Sequence, residues 1–250
     1  MAKEIFRLDP VALALNAGER PECVGLVLVV GWGWGSDTST GYEQLAKDIN
    51  ALGTRSLLVY DKQHLHCTVA TLSSFNNTGS ILSHASAEDR EAILEAWSQA
   101  LRKAFESMDT MRPFEIVFRS LETSPAATFL QGDDSSRTME ALRAAVRHAA
   151  EDTALRKLSD ELENKYSSVA GLCSLRDAIH VPDIIHSTVM RVASEVEDPR
   201  SLAAGLAEIS GRWKPATVKV AEISLVHEKH PYMHLDRVEC EVQSFSLPPG

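Results

Sequence analysis

The chain has 250 residues, 44% hydrophobic and 24% charged, which is typical of a globular protein with a sizeable core. Its formal net charge of −10 disfavours long nucleic acid as a partner, because such binding needs many lysines and arginines to neutralise phosphates. The longest apolar run, residues 26–30, is too short to span a bilayer, the first residues lack a signal-peptide pattern, and the four cysteines show no C-x-x-C spacing. We expect a cytoplasmic monomer without disulfides, zinc or a membrane partner.

Periodicity and boundary residues predict a succession of helices and strands over the whole chain. The first is a short helix that begins after Asp9-Pro10, an N-cap and a first-turn proline, and ends before Gly18. Further predicted helices lie at 42–52, 88–108, 138–150 and 199–209. Predicted strands lie at 24–30, 57–60, 65–72, 114–121, 127–130, 184–193, 216–226 and 238–247. The charged segment 151–182 is predicted to be a helical insertion over or beside the site, or more simply a solvated helix and loop.

A glycine- and tryptophan-rich stretch after the first predicted strand superficially suggests a dinucleotide-binding loop. In this stretch, GWGWG at 31–35, the third glycine of that fingerprint is missing because Ser36 occupies its position. A nicotinamide cofactor is therefore not expected. Trp34 is instead a candidate to stack on a base, although packing at a strand end is the commoner fate of such a residue.

A short motif occurs twice, and it determines how the rest of the chain is interpreted. Residues 66–69 (HCTV) and 186–189 (HSTV) both have the pattern His-x-Thr-Val within apolar stretches rich in β-branched residues. Side chains alternate between the two faces of a strand, so each motif presents its histidine and its threonine on one side. The alternative is two core strands that each carry one hydrogen-bonded histidine. A third sequence of the general form His-x-Ser/Thr begins at His84. It precedes a helical pattern, and its Ser86 is better explained as the N-cap of that helix.

The predicted elements around the two motifs follow a similar order, which indicates an imperfect internal duplication. A pseudo-twofold arrangement would bring the equivalent strands face to face across a cleft. We therefore predict an α+β fold of two lobes, in which two antiparallel-rich sheets with outer helices face a central cleft. Residues 24–250 would form this bilobal domain, with its lobes around positions 66 and 186. Residues 1–23 would be an N-terminal extension with a short helix.

The two motifs, together with Arg191, the closing pattern at 220–226 and Tyr232, resemble the 2H phosphoesterase superfamily, which includes the bacterial RNA 2′,5′-ligase-like cyclic phosphodiesterases. The sequence around the second motif is similar to the branch related to the eukaryotic kinase-anchoring-protein domain, which binds nucleotides. The resemblance covers the chain from about residue 24 to its end. It departs from the family at Thr71, where bacterial members often have an aromatic residue, and in the longer segment 151–182.

The resemblance implies that His66 and His186 are the catalytic pair and that Thr68 and Thr188 donate hydrogen bonds to phosphate oxygens. Hydrolysis of a 2′,3′-cyclic or 2′,5′-linked phosphodiester needs a base that deprotonates water and an acid that protonates the leaving oxygen. Histidine, with an unperturbed pKa of about 6.5, serves either purpose near pH 7. The mechanism needs no metal or other cofactor, and the expected substrate is a small nucleotide or an RNA end. Which histidine is the base depends on the direction of substrate entry, so both assignments stay open.

Four further residues are candidates to contact the substrate: Trp34, Lys62, Arg191 and Tyr232. Arg191 lies five residues after His186, so on an ideal strand it points away from that histidine unless a twist or a bulge redirects it. Two other functions stay open. One is a non-catalytic module that binds AMP-like ligands on the same fold, and the other is an interaction protein that docks through the charged helix at 151–166.

Overall fold

The computed structural model of the chain describes residues 5–34, 36–52, 55–108, 111–233 and 240–247. The strands are β1 Gly25–Val30, β2 Leu57–Val59, β3 Cys67–Ser73, β4 Phe114–Thr123, β5 Ala127–Asp133, β6 Ile185–Val192, β7 Ala216–Val220, β8 Glu222–Glu228 and β9 Glu241–Ser246. The α-helices are α1 Pro10–Asn16, α2 Ser36–Asn50, α3 Ile81–His84, α4 Ala87–Glu106, α5 Thr138–Ala149, α6 Thr153–Lys165 and α7 Pro199–Arg212. The first residues of the predicted strand at 238–247 lie outside the described residues. Gly35 of the glycine-rich stretch lies outside them too.

The strands form two antiparallel sheets, which confirms the predicted α+β class. The order in the four-stranded sheet is β3-β1-β8-β9, and the order in the five-stranded sheet is β2-β6-β5-β4-β7. The first motif strand, β3, is at an edge of the smaller sheet, and the second, β6, lies between β2 and β5 in the larger one. Each sheet therefore contributes one motif, although both sheets take strands from the early and the late parts of the chain.

The single strand predicted at 216–226 is wrong, because the chain changes sheets in the middle of it. β7 pairs with β4 in the larger sheet, while β8 pairs with β1 and β9 in the smaller one, and only Ala221 separates the two strands. The positions that belong to the main hydrophobic core change phase at this point. Val218 and Val220 of β7 belong to it, and so do Ile223 and Leu225 of β8, whereas Val226 is buried in a separate small cluster. An uninterrupted strand would keep its buried positions two residues apart, so this change of phase was the signal in the sequence.

The charged segment after α5 forms a separate helix that packs on the outside of α4. Asp152 begins α6 by accepting hydrogen bonds from the backbone of the first turn. At the other end of the helix, the ammonium of Lys165 lies 2.7 Å from a carboxylate oxygen of Asp89 on α4, and the Tyr166 hydroxyl donates to the same carboxylate. The segment then returns to the edge of β3, where His180 and Thr71 exchange two backbone hydrogen bonds of 2.8 Å. It therefore lies beside the first motif strand.

One large hydrophobic core joins the helices to both sheets, and Trp97 and Phe118 are among its fully buried side chains. The N-terminal segment is attached to this body. Ala12 of α1 has no exposed surface, and the backbone N–H groups of Arg7 and Asp9 donate to the carbonyls of Pro125 and Val192 at 2.7 and 2.9 Å. None of the helices in the described part of the chain combines the length and the apolar character needed to cross a bilayer.

The loop after β3 packs tightly on the returning segment, and this contact gives a first prediction. The backbone N–H of Cys173 donates to the carbonyl of Gly79 at 2.8 Å, and a Cβ atom at Gly79 would clash with the backbone carbonyl of Gly171. We expect Gly79→Ala to lower the free energy of unfolding by about 1–3 kcal/mol, because backbone must move to make room. The control is Gly211→Ala in α7, where a Cβ meets nothing within 4 Å. Urea unfolding of both variants measures the difference, and equal stabilities would contradict the close packing.

Candidate active site

The two motif strands bring both histidines and both threonines to the wall of one cavity. This cavity has a volume of about 200 Å³ and lies where the two sheets face each other. Its wall includes six residues that the sequence had singled out: His66, Thr68, His186, Thr188, Arg191 and Tyr232.

A β-bulge at the same motif position shapes both strands. In β3, Thr68 and Ala70 pair with consecutive residues of β1, so Val69 is an extra residue. In β6, Thr188 and Met190 pair with consecutive residues of β5, so Val189 is extra. An extra residue interrupts the alternation of side chains, and the third residue after the threonine then faces the same side as the threonine.

The bulges determine which way two further side chains point. Arg191 was expected to point away from His186 on an ideal strand, and the bulge instead turns it into the cavity. Thr71 occupies the equivalent position in β3 and also lines the cavity. Both walls thus present a histidine, a threonine and a third polar residue. This third residue is Thr71 in β3 and Arg191 in β6.

Each catalytic candidate is oriented by the backbone carbonyl two residues before it. The Nδ1–H of His66 donates to the carbonyl of His64, with 2.8 Å between the heavy atoms, which leaves Nε2 with a free lone pair. The ring of His186 is bonded in the same way to the carbonyl of Ile184. That carbonyl also accepts a 2.8 Å hydrogen bond from Nη2 of Arg143, a buried residue of α5 that the sequence gave no reason to single out.

The surroundings of both rings favour their neutral form. Burial lowers the pKa of His66 to about 4, and the nearby His186 and Arg191 add to this effect, although the bond to the His64 carbonyl opposes it. Burial also lowers the pKa of His186, and the positive charges of Arg143 and Arg191 act in the same direction. Near pH 7 the cavity therefore holds two neutral imidazoles, each able to accept a proton.

A buried acid forms another part of the wall. Glu228 of β8 is 4% exposed, and burial raises the pKa of its carboxyl to about 8, so it is mostly uncharged at pH 7. It accepts a hydrogen bond from the backbone of Met233, next to Tyr232. Tyr232 and Met233 have φ angles of 60° and 52°, a left-handed conformation that is uncommon for residues other than glycine. Glu228 thus holds a strained turn that presents Tyr232 to the cavity.

Aromatic side chains surround the polar groups of the cavity. The ring of Phe75, in the loop after β3, meets the Tyr232 ring edge-on with 5.2 Å between centroids. The ring of Phe129, in β5, meets the His186 imidazole in the same way at 5.4 Å. The sequence did not indicate Phe75, Phe129 or Glu228, because their approach to the motifs depends on sheet packing between segments that are distant in the chain.

Two of the predicted substrate-binding residues lie outside the cavity. Trp34 is 4% exposed and stacks on Phe118 in the core, with 4.9 Å between ring centroids, so it takes the commoner fate of packing at a strand end. Lys62 is an exposed residue whose ammonium lies 2.8 Å from a carboxylate oxygen of Glu43. Neither side chain lines the cavity that holds the two histidines.

The described residues contain no group of three or more His, Cys, Asp or Glu side chains arranged to hold a metal ion. The four cysteines are free thiols. The side chains of the cavity offer imidazole, hydroxyl and guanidinium groups, which suit the binding of an oxyanion.

No family model and no curated protein matches the chain. Solved structures match it over most of its length. TT0787 of Thermus thermophilus is 18% identical with a TM-score of 0.48, over 90% of this chain and 98% of that one. A conserved protein of unknown function from Agrobacterium tumefaciens is 14% identical with a TM-score of 0.49, over 99% and 91%. Escherichia coli LigT complexed with ATP is 14% identical with a TM-score of 0.45, over 90% and 99%.

The depressed histidine pKa gives a prediction for stability against pH. Because the pKa of His66 is about 4 in the folded chain and about 6.5 when unfolded, unfolding takes up a proton below pH 6.5. The stabilisation from the neutral ring is complete above about pH 6.5 and is lost progressively as the pH falls towards 4. For one such group the slope reaches at most about 1.4 kcal/mol per pH unit. His66→Gln should flatten the curve of unfolding free energy between pH 7.5 and 5.

Denaturant titrations at a series of pH values measure this slope. The matched control is His148→Gln, at an exposed position on α5, which should keep the slope of the unchanged chain. A variant at His66 with an unaltered slope would mean that its ring is not held neutral by burial.

Proposed function

We propose that the chain is a phosphodiesterase of the 2H type, which hydrolyses 2′,3′-cyclic or 2′,5′-linked phosphodiesters of small nucleotides or RNA ends without a metal ion. One observation supports this most. Two neutral imidazoles, each with a threonine on the same strand face, line one cavity of about 200 Å³. The proposal of 2H family membership rests on the same convergence and on the repeated motif.

In the proposed reaction, one neutral imidazole removes a proton from water as its oxygen attacks phosphorus. The other imidazole, in its protonated form, gives a proton to the ribose oxygen as the bond from phosphorus to that oxygen breaks. Negative charge that develops on the non-bridging oxygens is met by the hydroxyls of Thr68 and Thr188 and by Arg191. The products are a phosphomonoester and a free ribose hydroxyl.

The second histidine must acquire its proton before this reaction, and the substrate supplies the driving force. A phosphate anion beside an imidazole favours the protonated ring, which opposes the effect of burial. His66 has the more strongly depressed pKa of the two, so we assign it as the base and His186 as the ring that becomes protonated. The anionic substrate thus completes the acid and base pair.

Small nucleotides fit the surroundings of the cavity better than long nucleic acid. The rings of Phe75 and Tyr232, which line the cavity, give flat apolar surfaces on which a base can stack. The net charge of −10 opposes a long polyanion that extends beyond the cavity. The expectations of a monomer and of a cytoplasmic location stay predictions.

Loss of either histidine should remove most of the turnover. A general acid or base contributes about 10²- to 10⁴-fold, so His66→Ala and His186→Ala should each lower kcat by at least about 10²-fold. The double variant should be little worse than either single one, because the two groups act in one step. Product analysis with 2′,3′-cyclic nucleotides and 2′,5′-linked dinucleotides, with and without EDTA, measures the effect.

The chain provides its own control in the third His-x-Ser/Thr sequence, at His84. Ser86 accepts a hydrogen bond from the backbone of Asp89 as the N-cap of α4, and His84 is exposed, so His84→Ala should retain full turnover. Wild-type rates in either motif variant, or complete inhibition by EDTA, would refute the proposed mechanism.

Anion binding should be accompanied by proton uptake. Sulfate resembles phosphate in shape and charge but stays unprotonated near pH 7, so protons taken up with it are bound by the protein. Because both histidine pKa values are lowered in the empty cavity, we expect uptake of up to about one proton per sulfate at pH 6.5. Calorimetry in two buffers of different ionisation enthalpy measures this number, and His186→Gln should reduce it.

The same titration separates the proposed enzyme from a nucleotide-binding module. Proton uptake without turnover of any tested phosphodiester would favour the binding module. Sulfate binding with no proton uptake would contradict the position of the two imidazoles beside the anion.

A further inference from the structure

The N-terminal segment, which the sequence placed outside the bilobal domain, reaches the wall of the cavity. The backbone N–H of Asp9 donates to the carbonyl of Val192, the residue that follows Arg191 in β6. This contact fixes the start of α1 at the end of the second motif strand. As a result, the side chain of Asp9 approaches Arg191 and Tyr232 although 182 and 223 residues separate them in sequence.

The two carboxylate oxygens of Asp9 have different partners. Oδ1 accepts hydrogen bonds from the backbone N–H groups of Val11 and Ala12, at 3.0 and 3.1 Å, and so caps α1. Oδ2 accepts from Nη1 of Arg191 at 3.2 Å and from the hydroxyl of Tyr232 at 2.7 Å. The carboxylate is 12% exposed and the Arg191 side chain 19%, so water screens this ion pair less than a surface pair.

Arg191 is held on three sides by these neighbours. Besides its bond to Asp9, its Nε donates to the hydroxyl of Tyr60 at 3.0 Å, and its guanidinium carbon lies 3.8 Å from the centroid of the Tyr232 ring. Its third nitrogen, Nη2, has no hydrogen-bond partner among the residues that the structure describes. The network therefore fixes the plane of the guanidinium and leaves the two N–H groups of Nη2 for a ligand in the cavity.

We propose that Asp9 is a positioning residue of this cavity, which holds Arg191 and Tyr232 so that Nη2 of Arg191 meets a non-bridging oxygen of the bound phosphate. This inference rests on the proposed function, because it assumes a phosphate between the two motif strands. A guanidinium without a fixed partner samples many orientations, and a misplaced group costs much of its effect on the transition state. The carboxylate also balances the positive charge of Arg191.

A second Asp-Pro helix start in the chain makes a matched control. Asp198 caps α7 before Pro199 as Asp9 caps α1 before Pro10, and its Oδ1 accepts from the backbone of Arg200 and Ser201 at 3.1 and 3.0 Å. Asp198 does not line the cavity. Asp9→Ala and Asp198→Ala thus remove equivalent helix caps, but only the first removes a partner of Arg191.

We expect Asp9→Ala to lower kcat/KM for a 2′,3′-cyclic nucleotide by about tenfold or more. Asp198→Ala should keep the wild-type value even if both variants melt at a lower temperature. Asp9→Asn should be about as impaired as Asp9→Ala although α1 keeps its cap, because the single amide oxygen can replace Oδ1 and the NH2 group then faces Arg191, from which it cannot accept a bond. Asp9→Asn also keeps the test valid if Asp9→Ala folds poorly.

A double-variant cycle shows whether Asp9 acts through Arg191. In an Arg191→Ala background, Asp9→Ala should have no further effect on kcat/KM or on the dissociation constant for inorganic phosphate. Equal activity of Asp9→Ala and Asp198→Ala would overturn the inference, as would fully additive losses in the cycle. Phosphate binding that weakens in Asp9→Ala, in a chain that hydrolyses no phosphodiester, would refute the proposed enzyme and support the positioning role. A wild-type chain that binds no phosphate would refute both.

Discussion

The alternation of side chains along a strand, and its interruption at the same motif position in both motif strands, determines which side chains of these strands face the cavity. A regular strand turns every second side chain to the same face, which places His66 with Thr68 and His186 with Thr188. In both strands the next residue is an extra, fully buried valine. The bulge keeps two consecutive apolar residues in the core and returns a polar side chain to the cavity three positions after the threonine. The repeated unit is thus two residues longer than the His-x-Thr-Val motif and ends at Thr71 in β3 and at Arg191 in β6.

The two copies of this unit differ in their third polar residue, and each copy is supported by a different peripheral segment. On the first wall, the backbone of Thr71 is paired with His180 from the segment that follows α6. On the second wall, Arg191 is paired with Asp9 from the N-terminal segment. The sequence placed both segments at the periphery, one as an insertion and one as an extension. Their contacts at equivalent positions indicate that a symmetric pair of strands becomes an asymmetric cavity through what packs against its ends.

The parts of the fold that depend on local pattern could be predicted from sequence. The motif strands, the long helix α4 with its Ser86 cap, and the short helix after Asp9 follow from side-chain periodicity and capping chemistry. The pattern could not predict the register in which the strands pair with their neighbours. The bulge at Val189 depends on how β6 pairs with β5, and the direction of Arg191 follows from it. The contacts of Asp9 with Arg191 and Tyr232, and the position of Glu228 in the cavity wall, depend on segments that are distant in the chain. No local sequence pattern predicts them.

The charges around the cavity are compatible with the proposed binding of a phosphate by an acidic chain. At pH 7 the two imidazoles and Glu228 are largely neutral, and the charge of Arg191 is balanced by Asp9, so these side chains of the cavity together have almost no net charge. Under the proposed function, attraction would come from oriented donors and not from an excess of positive charge, which would limit binding to an anion small enough to reach those donors. Such an anion would raise the imidazole pKa values and draw a proton into the site. In the proposed mechanism, the same desolvation that keeps the histidines neutral in the free chain thus makes formation of the acid conditional on the substrate.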